Sequence, residues 1–115
     1  MRLRIAALVL GLLATPAFAE TINPADTSTH VGQTVTVEGV VSQVFTSTRS
    51  NTTFLDMDGR YPNNNFQAVI FSDDAGKFPN VTSLNGKKVD VTGAIRLYRG
   101  KPEIILKSAD QIKAQ

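Results

Sequence analysis

Cysteine and tryptophan are both absent from the 115-residue chain. Without cysteine there is no disulfide to staple the fold, no thiolate to hold a metal or attack a substrate, and no thiol to carry a lipid. Histidine occurs once, at His30, with no Ser or Cys arrangement around it, so a Ser-His-Asp relay has no frame. Glu38 and Glu103 lie far apart in sequence, and nothing in the pattern pairs them as general acid and base. A glycine-rich phosphate loop is also missing. The apolar run from Ile5 to Leu13 is nine residues long and no later stretch approaches it, whereas a membrane-spanning helix needs about 20 apolar residues.

The amino-terminal residues do have a recognisable grammar. Arg2 and Arg4 precede the apolar run, and Pro16 and the small-residue pattern Ala17-Phe18-Ala19 follow it. This is the layout of a secretory signal peptide of bacterial form, with cleavage expected between Ala19 and Glu20. The expected product is soluble and periplasmic or secreted. Removing residues 1–19 takes both arginines away, so the 12 basic residues become 10, equal to the 10 acidic ones, and the formal charge of +2 falls to zero. Asn51-Thr52-Thr53 and Asn80-Val81-Thr82 fit the N-glycosylation pattern, which matters only in a eukaryotic secretory pathway.

Residues 20–32 are polar, contain Pro24 and His30, and read as a lead-in arm before a domain over 33–115. From Gln33 onward, apolar and β-branched residues alternate with polar ones, the period of half-buried strands. A first strand is expected to run to about Phe45 and to bend at Gly39, since a glycine inside a strand marks a bulge or sharp curve. A second, Thr52 to Asp58, places Thr53, Leu55 and Met57 on an inner face and Phe54, Asp56 and Asp58 on the outer one. Asp58-Gly59 opens a loop. The third strand, Phe66 to Phe71, is apolar on both faces, which leaves its inward side open. Asp73-Asp74 begins a short helix ended by Pro79. A fourth strand is expected over Lys88 to Tyr98, a tight turn at Arg99-Gly100, a fifth strand over Glu103 to Lys107, and one helical turn near Asp110 with Ile112 as anchor.

Gly32-x-x-Val35-x-Val37-x-Gly39 recurs as Gly86-x-x-Val89-x-Val91-x-Gly93. Two strands thus enter from a glycine and bend at a second one, as the corners of a small barrel require. Five strands with a helical insertion between the third and fourth predict an all-β, five-stranded Greek-key barrel. In these segments the chain resembles the OB-fold family, and within it the secreted bacterial stand-alone OB-fold proteins and the OB modules that accompany secreted nucleases. The residues carrying the resemblance are Val35 to Val41, Thr53 to Met57, Tyr61-Pro62-Asn63, Phe66 to Phe71, Gly86 to Gly93 and Tyr98-Arg99-Gly100-Lys101-Pro102-Glu103-Ile104. The resemblance covers about Gly32 to Ile112. It implies nucleic-acid binding first, with oligosaccharides, small ligands or proteins as other ligands of the same barrel, because a fold alone does not set function.

In such a barrel, ligands cross the second and third strands between two loops. Those loops map to Thr46–Asn51 and Arg99–Lys101, which nominates Arg49, Phe54, Arg96, Tyr98, Arg99 and Lys101: cations to follow phosphates and aromatic planes to stack bases. Exposed arginine and lysine at a hairpin tip are equally ordinary solubilising residues, and Tyr98 and Phe54 equally ordinary rim packing. Asp56 and Asp58, on the same face as Phe54, oppose phosphate. Asp56-Met57-Asp58-Gly59 lacks the calcium-loop spacing, so ordinary turn chemistry is the simpler account and no metal or cofactor is expected. The expectation is a monomeric, non-catalytic binding module for single-stranded nucleic acid or a similar anionic ligand. Its alternative is a protein-interaction or small-ligand module without a nucleic-acid role.

Overall fold

A computed structural model of the protein describes residues 19–115. The expected export signal therefore lies, except for Ala19, outside the described residues. The described chain is mostly β. Its strands are β1 (Glu20–Ile22), β2 (Thr34–Thr46), β3 (Thr53–Met57), β4 (Phe66–Ile70), β5 (Lys88–Ala94), β6 (Arg96–Tyr98), β7 (Lys101–Ile105) and β8 (Ile112–Ala114). They form one sheet in the order β6-β7-β4-β3-β2-β5-β8, with β1 laid parallel to the start of β2. The β4–β7 pair is also parallel and the remaining pairs are antiparallel.

Alternation decides which side chains meet. Val35, Val37 and Val41 of β2, Leu55 and Met57 of β3, Phe66, Ala68 and Ile70 of β4, Val89 and Val91 of β5 and Ile104 of β7 form one buried cluster. The inner face of β3 is the one the alternation predicts. In β4 the inner residues are Phe66, Ala68 and Ile70, while Gln67 and Val69 are buried on the opposite face. Being covered on both sides, this strand carries no period-2 signal of its own.

Strand β2 serves two sets of partners. Thr34 to Val40 pair with β5, Val41 to Thr46 pair with β3, and the register shifts between Val41 and Gln43. The bend expected at Gly39 lies at this handover. A Cβ on Gly39 would sit 2.7 Å from Pro24 Cγ and 3.2 Å from Met57 Cε. Its hydrogen lets the Pro24 ring close over the strand. The residues read as a lead-in arm are part of this packing: β1 and a 3-10 helix at Pro24–Thr29 bury Ile22, Pro24 and Thr27.

The expectation of a closed five-stranded barrel needs correction. The fourth strand breaks in two because Ile95 turns into the core, its N–H donating to Gln33 O at 3.0 Å while its carbonyl accepts from Gly32 N at 2.8 Å. Beyond it, β6 leaves β5 and forms a hairpin with β7. Among the described residues no ladder joins β5 to β7, so the sheet of eight strands is not closed. Instead the two strands meet through side chains. A Cβ on Gly93 would sit 2.6 Å from Ile104 Cγ2. Gln111 Nε2 donates to Thr92 O of β5 and Ile105 O of β7, each at 3.1 Å. Its Oε1 accepts from Lys107 N and Ser108 N, which completes the amide's hydrogen bonds.

The expected helix between the third and fourth strands is two 3-10 helices, Ser72–Lys77 and Val81–Leu84, separated at Pro79. The carboxyl-terminal turn is also 3-10, at Ala109–Gln111, and leads into β8 rather than ending the fold. The fifth strand begins two residues earlier than expected, at Lys101, because the Arg99-Gly100 hairpin pairs Tyr98 directly with Lys101.

Gly39→Ala and Gly93→Ala are each expected to lower the unfolding free energy by about 1 to 3 kcal/mol, the usual cost of overpacking. Gly76→Ala, where an added Cβ meets nothing within 4 Å, is the control and should stay within about 0.5 kcal/mol. Urea denaturation of the three variants checks this, and a neutral Gly93→Ala would contradict the close β5–β7 approach.

Candidate ligand cleft

Strand register lays two rows of side chains across the outer face of the sheet. One is polar: Gln43 of β2 lies opposite Asp56 of β3, Asp56 opposite Gln67 of β4, Gln67 opposite Glu103 of β7, and Glu103 opposite Arg96 of β6. The next row is apolar, with Phe45 opposite Phe54, then Val69 and Ile105. An open cleft of about 1010 Å³ lies over the inner part of these rows. The β3–β4 loop contributes Tyr61, Pro62 and Asn64, the β6–β7 hairpin contributes Tyr98, Arg99 and Lys101, and the Pro24–Thr29 helix contributes Thr27 and Ser28.

Each buried carboxylate of the polar row has fixed partners. Glu103, 2% exposed, accepts from Gln67 Nε2 at 2.8 Å and forms an ion pair with Arg96 Nε at 3.0 Å. Asp56, 3% exposed, accepts from Asn64 Nδ2 at 3.2 Å and from Tyr61 N at 3.4 Å. Asn64 Nδ2 also donates to Phe66 O at 3.1 Å, and Asn64 Oδ1 is the buried side-chain oxygen left without a partner among the described residues. Burial pushes the Asp56 carboxyl above its ordinary value of 3.8. The Tyr61 N–H and the charges of Lys101 and Arg60 oppose that rise without cancelling it.

The six residues nominated from sequence separate here. Phe54, Tyr98, Arg99 and Lys101 line the cleft together. Lys101 is not a free cation at a hairpin tip: its Nζ donates to Asn64 O and, at 3.5 Å, to Pro62 O, tying the β3–β4 loop to the β6–β7 hairpin. Arg99 and Gly100 occupy a two-residue turn with φ of +51° and +80°, positive at both positions as hairpins favour. That turn brings the Arg99 guanidinium to 5.2 Å from the Tyr98 ring centroid. Arg96 sits at the end of the polar row and Arg49 at the β2–β3 hairpin, and neither lines the cleft.

Phe45, 53% exposed, and Tyr61, 73% exposed, join the cleft without having been nominated. For Phe45 the signal was available, since carrying the outward alternation of Gln43 two residues further reaches it. Tyr61 lies in a loop, where no periodicity points to it. The polar partners Asn64 and Gln67 depend on register and loop path. Among the described residues no group of three or more His, Asp or Glu side chains is placed to hold a metal ion.

No protein-family model matches the chain, and no curated protein matches it in sequence. Solved structures do share its fold. A putative aspartyl-tRNA synthetase from Leishmania major Friedlin matches with TM-score 0.57 and 16% identity over 95% of this chain and 23% of its own. An asparaginyl-tRNA synthetase from Entamoeba histolytica matches with TM-score 0.55 and 21% identity over 87% of this chain and 24% of its own. The OBody AM1L10, solved bound to hen egg-white lysozyme, matches with TM-score 0.63 and 16% identity over 88% of this chain and 98% of its own. The chain thus spans about a quarter of each synthetase and nearly all of the OBody. At these identities the likeness is one of fold, and the fold is OB-like.

The raised Asp56 pKa has a measurable sign. Folding favours the protonated carboxyl, so the stability tied to Asp56 is fully present below 3.8 and is lost as pH rises through the folded-state value. Asp56→Asn cannot titrate. Its stability relative to the parent protein should therefore improve as pH is raised from about 3 toward 7, as read by chemical denaturation at each pH. A difference between the two proteins that is constant across this range would place Asp56 in a solvated, unperturbed setting.

Proposed function

We propose that the chain is an exported, monomeric, non-catalytic OB-type module that binds single-stranded nucleic acid, or a similar extended anionic ligand, in the aromatic cleft. In this reading β2, β3, β4, β5 and β7 are the five strands of an OB barrel, left unlaced between β5 and β7. The observation that carries the reading is the cleft itself. Phe45, Phe54, Tyr61 and Tyr98 line one groove, and Arg99, which lies over the Tyr98 ring, lines it with them. Stacking on such rings tolerates any base and contributes about 1 to 3 kcal/mol per base, and an arginine beside them adds phosphate contact and cation–π attraction. The fold likeness to parts of two tRNA synthetases, enzymes whose substrates include a nucleic acid, supports the same choice.

Affinity in this module comes from stacking more than from charge. With the signal removed, basic and acidic residues balance, so no field of the whole protein attracts phosphate and Arg99 acts locally. That balance favours one second reading, a protein-interaction module in the exported compartment. The OBody supports it as an OB-like protein of similar extent bound to another protein. Recovery of a periplasmic protein by the chain, with no nucleic acid in the captured material, would decide for it.

Fluorescence anisotropy with labelled single-stranded oligonucleotides at low salt tests the first reading. Phe54→Ala and Tyr98→Ala should each weaken binding by about 1 to 3 kcal/mol. Arg99→Gly suits the positive φ of the turn, so it should preserve the hairpin while flattening the plot of log affinity against log salt by about 0.7. Absence of binding at tens of micromolar protein, or binding indifferent to Phe54 and Tyr98, rejects the reading.

A further inference from the structure

Hydrogen-bonding polarity on the cleft floor is uneven. Both inner amides turn their NH2 ends onto the fold, Asn64 engaging both of its N–H donors there and Gln67 one of its two. Asn64 Nδ2 is held by Asp56 Oδ1 and Phe66 O, and Gln67 Nε2 by Glu103 Oε1. This fixes each amide's orientation and leaves the carbonyl end: Asn64 Oδ1 is unpartnered, and no hydrogen bond among the described residues engages Gln67 Oε1. The Asp56 carboxylate lies between these two residues and accepts only long bonds, at 3.2 and 3.4 Å. The centre of the floor is thus rich in acceptors. At its edge the pattern reverses. Gln43, directly opposite Asp56, accepts from Arg60 Nε through Oε1 at 3.1 Å, which leaves its amide N–H groups as donors.

A planar ligand stacked against Phe54 must therefore offer adjacent donors to Asp56 and an acceptor beside them for Gln43. Guanine has that edge: N1–H and the 2-amino group side by side, with O6 next to N1. Adenine and cytosine place an amino group beside a ring-nitrogen acceptor, and thymine flanks its single N–H with carbonyl oxygens. Each of those edges sets a lone pair against the Asp56 carboxylate. We propose that the cleft selects guanine among the bases of a single strand, an inference that rests on the nucleic-acid reading above and adds a base preference to it. Asp56 takes N1–H and the 2-amino group, Gln43 donates to O6, and Phe54 and Phe45 carry the ring. Arg99 stays with the backbone phosphate.

The test uses the protein without its signal and short thymidine-rich strands that carry one central dG, deoxyinosine, dA, dC or dT, read by anisotropy at low salt. The dG strand should bind at least about fivefold more tightly than the dA, dC and dT strands, the low end of what a two-point base contact supplies. Deoxyinosine lacks only the 2-amino group and should lose most of that advantage. In Asp56→Asn the dG advantage over the dA, dC and dT strands should vanish. If that variant does not fold, the dG and deoxyinosine comparison on the parent protein decides alone. Equal affinity for all strands, still lost in Phe54→Ala, overturns the guanine preference and leaves the nucleic-acid reading standing. Equal affinity for dG and deoxyinosine overturns the role given to Asp56. Binding of no strand removes both. If a capped arginine-containing peptide binds where no strand does, the acceptor floor serves a guanidinium, and the protein-interaction reading takes its place.

Discussion

Strand β2 must hydrogen-bond to three neighbours at once, and this requirement shapes the rest of the molecule. Along Thr34 to Val40 it carries β5 on one edge and β1 on the other, and from Val41 onward it carries β3. A flat strand would send these partners off in one plane, with their apolar faces in water. The register shift after Val41 and the bare Cα of Gly39 let the strand coil, so that Val35 and Val37 from one half meet Leu55 and Met57 from the other partner's side. The Pro24 ring sits in the space the missing Cβ leaves, which is why the amino-terminal residues pack into the fold.

Coiling the apolar face inward leaves the opposite face to deal with its charges. Glu103 is almost wholly buried there, and a lone carboxylate in that setting would be costly; the neighbouring strands surround it with Gln67 and Arg96. Asp56 is less completely satisfied, and its carboxyl keeps a raised pKa. The contrast separates the two ends of one polar row. The Glu103 end is spoken for by the fold, and the Asp56 end opens onto the cleft beside Phe54. An acceptor-rich cleft here follows from the limited supply of donors across a coiled sheet.

Much of the architecture was legible in the chain, and the reasons for what was not are specific. Thr53 to Met57 alternate with period 2 because one face meets the core and the other the cleft, so the inner and outer sets were readable. Phe66 to Ile70 were recognisable as a strand but not as a face, since both sides are buried. Ile95 keeps the apolar spacing of Val89 and Val91, which hid the break that sends β6 away from β5. The cleft aromatics Phe54 and Tyr98 were visible as outward residues near loops. The Asp56, Gln67 and Glu103 row was not, because it depends on a parallel pairing between segments about 36 residues apart, and register across such a gap is set by tertiary packing. Lys101 looked like a free cation because nothing local announces that a distant loop offers its carbonyls.

The Gln111 clasp gives the seam between β5 and β7 a different character from the rest of the sheet. A ladder bond belongs to the backbone and survives almost any side-chain replacement, so a strand pair is hereditary in a robust way. The bonds to Thr92 O and Ile105 O belong to a single amide. Beside the Gly93–Ile104 approach, the hydrogen bonding that joins β5 to β7 is therefore written in one codon.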